Sequence, residues 1–293
     1  MRSFQNLLAS NPDQYIGYGN PNADICIVGK EQSGTLPLQC GLGSATYWMT
    51  SLPMFFDRIK TDNPTDPIWK EGHTWNKYQK LYDSIFPEQA SLPGTMNFEQ
   101  NIFITEMSAV PAATTAEGRN TPDFEEQLAQ RKRAFFGHPY FKEFKVIILA
   151  CSDYIVNYGD RREIDTLFNV TFDINGGAHE VGPQNAFWVH HSADGKRMVI
   201  HTRQLSGAVS DKLLNEMGSV IRQHLDNSEN LTPEIPTTNK LRIGMTMDEC
   251  KTIWGNPKNV SKTTYTDSES ETWLYDNNKF LIFENGLLHI IRE

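Results

Sequence analysis

The sequence predicts an α/β protein: a three-layer α/β/α sandwich with a mainly parallel sheet, followed by a small C-terminal α+β domain with an antiparallel meander. Two observations predict this class. Short apolar runs that favour strands alternate with segments of helical spacing along the first 225 residues or so, and such alternation is typical of a parallel-rich sheet covered by helices. A polar, proline-containing break then separates a tail with a different pattern.

The break runs from Asp226 to Asn239 and contains two prolines and no apolar period. Such a composition is typical of a linker. We therefore divide the 293 residues into a first domain at 1–228, a linker at 229–239 and a second domain at 240–293. We expect the second domain to fold on its own and to be unnecessary for any chemistry.

Strands and helices of the first domain follow from apolar spacing and from turn residues. The predicted strands are Asp24–Gly29, Asn101–Val110, Val146–Ala150, Ala186–His191 and Lys196–His201. The predicted helices are Trp48–Ile59, Trp75–Ile85, a helix capped by Thr121 that runs to about Phe135, a short helix that ends at Tyr158, and Ser210–His224. Ligands of open parallel sheets bind beyond the carboxyl ends of the strands. Chemistry is therefore expected in the loops after Val28, Thr105, Ala150 and His201.

The tail begins with a capping box from Thr246 to Glu249 and has a helix stop signal at Gly255,. Four strand-like runs follow, with an Asn-Gly turn before the last,. They are Val260–Tyr265, Glu271–Tyr275, Lys279–Phe283 and Leu287–Ile291.

Composition limits the classes of function. The net charge of −9 argues against a broad basic face that would coat DNA or a membrane,. No stretch approaches the about 18 apolar residues of a membrane span, and the N-terminus has no signal-peptide core, which predicts a cytoplasmic protein. The four cysteines, Cys26, Cys40, Cys151 and Cys250, form no C-x-x-C pair. We therefore predict no metal site and no cofactor, with Cys26 and Cys151 as reduced core residues.

Two loops carry candidate functional residues. The first, Gly29 to Gly34, places charged and small residues directly after a buried strand. The last, His201 to Gly207, places a histidine and Arg203 between a strand and a helix. Histidine is a common acid, base or anion stabiliser, and arginine binds phosphate. Each loop taken singly also fits an alternative without function. The first would then be a solvated turn, and the last would contain a hydrogen-bonded histidine near the sheet edge.

In combination the motifs resemble the uracil-DNA glycosylase superfamily. The order is Gly29-Lys-Glu31, Tyr47-Trp48, Phe103-Ile-Thr-Glu106 with Pro111, and His201-x-x-x-Leu205-Ser206 before the final helix. The stretch from Gly43 to Leu52 is similar to one in the mismatch-specific branch. The resemblance covers about residues 24–224.

The resemblance implies a metal-free DNA glycosylase that hydrolyses the N-glycosidic bond of a flipped base. It implies catalytic roles for Glu31 and His201, across one cleft. It also implies that Tyr47, Glu106 and Gln32 contact the base and that Arg203 and Ser206 contact phosphate. An extruded base stacks on an aromatic ring, and a carboxylate orients the attacking water.

Four positions depart from the family pattern. Gln32 stands where proline is usual, Thr202 and Arg203 replace Pro-Ser, and Glu106 replaces an asparagine that reads the base. An inactive nucleobase-binding, nucleic-acid-binding or protein-interaction protein on the same fold is therefore the alternative.

Glu106 also bears on which base is accepted. An ionised carboxylate accepts hydrogen bonds only, so it disfavours uracil and favours a base with a donor edge. A protonated Glu106, held neutral by burial, would restore recognition of uracil. Alternatively Glu106 points away and pairs with a nearby arginine.

The tail is similar to the SmpA/OmlA (BamE-like) domain. The matching segments are Ile243-Gly-Met-Thr246, Trp254-Gly-Asn-Pro257, Trp273-Leu-Tyr275 and Phe283-Glu-Asn-Gly286. The resemblance implies a binding or scaffold module with a protein partner.

Overall fold

The computed structural model describes residues 2–32, 43–51, 70, 72–90, 95–230, 241, 245–264, 269–276, 279–284 and 286–292. It has two compact units, Met1–Ser228 and Glu229–Glu293. Residues 231–239 of the predicted linker lie outside the described residues. The preceding helix continues to Asn230, beyond its predicted end at His224. The reason is that the polar residues after His224 include no glycine or proline before Pro233,.

The first unit contains helices α1 to α7 and strands β1 to β10 among its described residues. The helices are α1 Arg2–Ser10, α2 Ala45–Ser51, α3 Thr74–Ile85, α4 Thr115–Arg119, α5 Phe124–Arg131, α6 Glu163–Phe168 and α7 Asp211–Asn230. The strands are β1 Tyr18–Gly19, β2 Ile25–Glu31, β3 Ile102–Ser108, β4 Val146–Leu149, β5 Asn157–Tyr158, β6 Arg161–Arg162, β7 Thr171–Phe172, β8 Ala178–Gly182, β9 Asn185–His191 and β10 Met198–Thr202.

A mixed sheet of eight strands forms the centre of this unit, in the order β1-β3-β2-β4-β10-β9-β7 with β8 also paired to β9. Its four middle strands, β3, β2, β4 and β10, run parallel. The outer strands β1, β7, β8 and β9 pair antiparallel. The predicted α/β class is thus present in its coarser form, a large sheet with a parallel centre and helices.

Burial explains the parallel centre. The first five residues of β2 and all four of β4 are buried, which fits strands covered on both faces,. Cys26 and Cys151 are buried and unpaired, as predicted, whereas Cys40 lies outside the described residues. The hairpin that joins β9 to β10 is also confirmed, with His201 paired to Trp188.

Two predicted helices of the first unit differ from the structure. Asp123, not Thr121, precedes α5, and its φ of 59° sets the turn after α4. The segment after β4 is a 3₁₀ turn at Ser152–Tyr154 followed by the β5–β6 hairpin, not a helix to Tyr158. Such short segments have too few residues for apolar spacing to separate helix from hairpin. Residues 52–59 of the helix predicted at Trp48–Ile59 lie outside the described residues.

The second unit has helix α8, Met247–Trp254, and an antiparallel sheet in the order β11-β12-β13-β14. Its strands are β11 Asn259–Thr264, β12 Glu269–Leu274, β13 Phe280–Glu284 and β14 Leu287–Arg292. Gly255 ends α8 with a φ of 76° and donates its N–H to the carbonyl of Lys251 (2.8 Å). Glycine adopts this conformation without strain, so the predicted stop signal is confirmed. Trp273, Leu281 and Phe283 lie in a separate small core.

Within the described residues, no helix combines the length and the apolar character that crossing a bilayer requires.

Candidate functional site at the carboxyl ends of the parallel strands

The order of the parallel strands reverses at β2, and we call the position beyond the carboxyl end of β2 the crevice. β2 pairs with β3 on one side and with β4 on the other. Helix connections that leave such neighbouring strands for opposite faces open a crevice beyond their carboxyl ends, where ligands bind. Lys30 and Glu31 end β2, and the Ser152–Tyr154 turn follows β4 at the same edge. The site is therefore sought between these two segments.

Glu106 lies beside this crevice, directly over the main chain of β2. Gly29 pairs with Glu106, and a Cβ added to Gly29 would stand 2.2 Å from Oε2 of Glu106. A residue without a side chain is thus required for the carboxyl group to lie there. Burial and the negative charge of Glu31 raise the pKa of Glu106 to about 8, against the opposing charge of Arg131. At neutral pH Glu106 is therefore mostly protonated and can donate a hydrogen bond.

Glu31 is held by the segment that follows β3. Its Oε1 accepts a hydrogen bond from the Thr115 hydroxyl at the start of α4 (2.8 Å). Its Oε2 is buried. Burial and a hydrogen bond to Glu31 raise the pKa of the neighbouring Tyr154 phenol. The Glu31 carboxyl group is therefore held between the Thr115 hydroxyl and Tyr154.

Arg131 fixes the strand that carries Glu106. This side chain of α5 is only 4% exposed. Its guanidinium donates to the main-chain carbonyls of Glu106 (3.0 Å) and Tyr15 (2.8 Å) and to Oε1 of Gln14 (3.1 Å). The predicted alternative, an arginine paired with the Glu106 carboxylate, is not observed, because Arg131 binds the carbonyl instead. Its donors contact main-chain carbonyls and the Gln14 and Thr105 side chains, and within the described residues none contacts the Glu106 carboxyl group.

The Ser152–Tyr154 turn contacts several candidate residues at once. Ser152 adopts a left-handed φ of 48°, which is unusual for a residue with a side chain,. Its carbonyl accepts a hydrogen bond from Nε2 of His201 (2.8 Å). Asp153 forms ion pairs with Lys30 (3.4 Å) and with Arg119. Strained residues concentrate at functional sites, so the turn is itself part of the candidate site.

His201 and Glu106 lie on opposite faces of the sheet. Val28 and His201 both pair with Leu149, whereas Glu106 pairs with the next residue, Gly29. Because successive side chains of a strand alternate between the faces, the His201 ring faces away from the Glu106 carboxyl group. Burial lowers the pKa of His201, which favours the neutral ring. The structure thus shows the hydrogen bond of the alternative for His201, but β10 lies between β4 and β9 and not at the edge of the sheet.

His201 instead lines a cavity of about 670 Å³ together with Trp188, whose ring centroid is 5.9 Å away. A second cavity of about 370 Å³ lies next to it and is lined by Lys30, Arg203 and Ser206, among others. Arg203 also donates to the carbonyl of Gln184 (3.2 Å). The predicted phosphate contacts Arg203 and Ser206 are thus brought together, with Lys30 as a further cation.

The remaining predicted residues are Tyr47 and Gln32. Tyr47 in α2 donates its main-chain N–H to the Ser44 hydroxyl (3.1 Å), and its phenol contributes to the raised pKa of Tyr18 near the β1 edge. Gln32 lies at the crevice and accepts the N–H of Ala112 at its main-chain carbonyl (3.0 Å). The structure therefore brings Glu31 close to Glu106 and Arg203 close to Ser206. It does not gather Glu31, Tyr47, Glu106 and His201 around one point.

Sequence reasoning missed Lys30, Asn157 and Trp188. Lys30 directly follows the first-motif glycine, so its position was a usable signal. Trp188 lies in a run of four apolar residues, Ala186 to Val189, so the sequence gives no sign of its 39% exposure. Asn157 follows a turn that sequence spacing does not resolve.

No protein-family model matches the chain, and no curated protein matches it.

Proposed function

We propose that this protein is a divergent DNA base-excision glycosylase on a three-layer α/β/α sandwich of the uracil-DNA glycosylase type. The observation that carries the proposal is the pair of neighbouring carboxyl groups of Glu31, at the end of β2, and Glu106, within β3. Two carboxyl groups, of which burial keeps one protonated, are typical of acid and base pairs in glycosidic hydrolysis.

In the proposed reaction Glu31 orients a water molecule and accepts its proton. The water oxygen forms a bond to the anomeric carbon while the C–N bond to the base breaks, and its electron pair goes to the base. Glu106, protonated at neutral pH, donates to the departing base and stabilises the charge that develops on it.

In the proposal, Lys30, Arg203 and Ser206, which line one cavity, bind a phosphate of the substrate. Cations and a hydroxyl of this kind bind a phosphate without reading sequence. A local cationic cavity fits an acidic protein that contacts a few phosphates and does not coat DNA. His201 takes no part in the proposed reaction, because its ring faces the opposite side of the sheet from Glu106.

The base that is accepted depends on the proton of Glu106. A protonated carboxyl group can donate to a carbonyl of the base and accept at its second oxygen, as an asparagine amide does. The expectation that uracil is a poor substrate therefore applies to the ionised group, at pH values above about 8.

The proposal is tested with oligonucleotides that carry uracil, hypoxanthine or a mismatched base, with alkaline strand scission as the readout. We expect base release at pH 7 by the wild-type protein and its loss in the Glu31→Gln variant. Absence of release from all of these substrates, with a correctly folded protein, would refute the glycosylase proposal.

Gly29→Ala tests the placement of Glu106. The new Cβ meets the far end of a flexible side chain, so Glu106 has to move its carboxyl group while the fold is kept. We expect base release to fall by about tenfold or more, because small displacements of a catalytic group are costly. Chemical denaturation should show a change of less than about 2 kcal/mol.

Gly182→Ala is the matched control, since a Cβ on Gly182 meets nothing within 4 Å. Equal activity of Gly29→Ala and Gly182→Ala would contradict the proposed position of Glu106.

The second candidate function is binding of a nucleobase or nucleic acid without chemistry. The observation that favours it is the hydrogen bond from His201 to the Ser152 carbonyl, which holds the ring away from Glu106. If the protein only binds, the same oligonucleotides should bind to it and be recovered intact. Equilibrium binding followed by analysis of the recovered strand separates the two functions.

For the second unit we propose a BamE-like module that binds a protein partner. Its support is the quoted motif, together with a helix and an antiparallel four-stranded sheet with a core of their own.

A further inference from the structure

Two neighbouring cavities share one wall. The larger, of about 670 Å³, and the smaller, of about 370 Å³, are both lined by Ser152 and Arg203. The larger has the volume of a typical small-molecule site. Its residue His201 faces away from Glu106, so this cavity is separate from the position proposed for bond cleavage. A single ligand of suitable length can occupy both cavities past Arg203.

Aromatic side chains form much of the larger cavity. Trp188 is 39% exposed and lies on its wall, and Tyr158 of the β5–β6 hairpin is 67% exposed. Phe172 also lines it and packs against His190 at a centroid distance of 5.5 Å. Large aromatic rings left accessible at a cavity are typical of sites for flat aromatic ligands. A planar ring system is therefore the best fit to this wall.

The cavity also offers hydrogen bonds in fixed directions. Nδ2 of Asn157 is buried and has no hydrogen-bond partner in the described part of the chain. Its orientation is set by Oδ1, which accepts the N–H of Asp165 (3.1 Å). His190 is oriented by a 2.9 Å hydrogen bond from Nδ1 to the Asp165 carboxylate. An unsatisfied buried donor in a cavity wall points to a ligand acceptor, such as a ring nitrogen or carbonyl of a base.

Charge favours an anion at one end. The charged residues around the larger cavity are Arg162, Arg203 and Asp153. The smaller cavity adds Lys30, whose side chain is 11% exposed. Asp153 is already paired with Lys30 and Arg119. In a protein of net charge −9, this local excess of cations singles out the smaller cavity for a phosphate,.

We propose that the two cavities together bind a nucleoside monophosphate, with the base against Trp188 in the larger cavity and the phosphate near Lys30 and Arg203 in the smaller one. Asn157 donates to an acceptor on the base edge. The inference goes beyond base excision and shares with it only the phosphate contacts, so it holds whether or not the glycosidic bond is cleaved. Two ligands contain this nucleotide unit, a free mononucleotide and a nucleotide within a nucleic-acid strand.

The test is isothermal titration of the full chain with the four common nucleoside monophosphates, the matching nucleosides, inorganic phosphate and a short single-stranded oligonucleotide. The Glu31→Gln variant is used throughout, so that loss of hydrolysis and loss of binding are separate results. We expect at least one monophosphate to bind more tightly than its nucleoside and than inorganic phosphate. Trp188→Ala should weaken that binding by about tenfold, the effect of losing one stacking contact.

Ile174→Ala is the matched control, because Ile174 is 83% exposed in the same unit and does not line either cavity. It should bind as the parent does. Trp188→Phe keeps a ring and should retain most of the affinity, which separates stacking from a folding defect. Asn157→Leu should weaken the binding of nucleotides and leave the binding of inorganic phosphate unchanged.

Two outcomes would overturn the proposal. The first is that no nucleotide or oligonucleotide binds with a Kd below about 1 mM, which corresponds to a binding free energy of about 4 kcal/mol. The second is nucleotide binding that equals phosphate binding and is unchanged in Trp188→Ala. Binding of the oligonucleotide alone, weakened in Trp188→Ala, supports the site and assigns the source to a strand.

Discussion

We expect the Glu31→Gln variant to release base at least about a hundred times more slowly than the wild-type protein at pH 7. The amide keeps the size of the side chain and can still contact the Thr115 hydroxyl, but it cannot accept a proton from water. Loss of a positioned general base typically costs a factor of about 10²–10⁴ in rate. The measurement is single-turnover strand scission after alkali, with binding of the intact oligonucleotide followed separately.

Glu117→Gln is the control for this prediction. Glu117 lies in α4, as Thr115 does, and is exposed, so the substitution removes a carboxylate of the same segment without touching the crevice. We expect its rate to match the wild-type rate within about a factor of two, since exposed surface changes are usually small in free energy. A Glu31→Gln protein that works as fast as Glu117→Gln would exclude Glu31 as the base.

The second large effect is on the pH dependence of folding through Glu106. The carboxyl group loses its proton near pH 4.5 in the unfolded chain and near pH 8 in the folded protein. Between these values the folded state holds the extra proton. The free energy of unfolding therefore falls as pH rises from about 4.5 to 8, by about 1.4 kcal/mol per unit of pKa difference at most.

Urea denaturation of the wild-type protein and of Glu106→Gln between pH 5 and pH 9 measures this contribution. We expect the wild-type protein to lose stability relative to the variant across that interval, by an amount on the order of a few kcal/mol. Glu88→Gln, at an exposed residue of the same unit, should follow the wild-type curve. Parallel curves for the wild type and Glu106→Gln would show that Glu106 is ionised at neutral pH in the folded protein.

The elements that were predictable from sequence are those with a long apolar signal. β2, β4 and the β9–β10 hairpin were predicted close to their observed bounds, because buried strands and an Asp-Gly turn leave clear patterns. The sheet in the second unit was predicted for the same reason. The Ser152–Tyr154 turn and the β5–β6 hairpin were not, since segments this short are decided by tertiary contacts.

The candidate site was predictable in its parts and not in their arrangement. Spacing after strands identified Glu31, Glu106 and His201 without giving the face on which each side chain lies. A shift of one residue in strand pairing reverses the face of every side chain, and sequence patterns fix register to no better than a few residues. The unexpected result, that His201 and Glu106 face opposite sides, comes from this limit. The protonation of Glu106 likewise depends on Gly29 and Glu31, which only the folded chain brings beside it.

The turn at Ser152–Tyr154 contacts residues on both faces of the sheet. Tyr154 lies against Glu31, Asp153 holds Lys30, and the Ser152 carbonyl holds His201. A ligand that moved this turn on one face would change the positions of contacting groups on the other. The two proposed occupancies would then be thermodynamically coupled, with the same coupling free energy in both directions. A nucleotide beside Trp188 would thereby tune the affinity of the crevice for its substrate, and the substrate would tune the affinity for the nucleotide by the same factor.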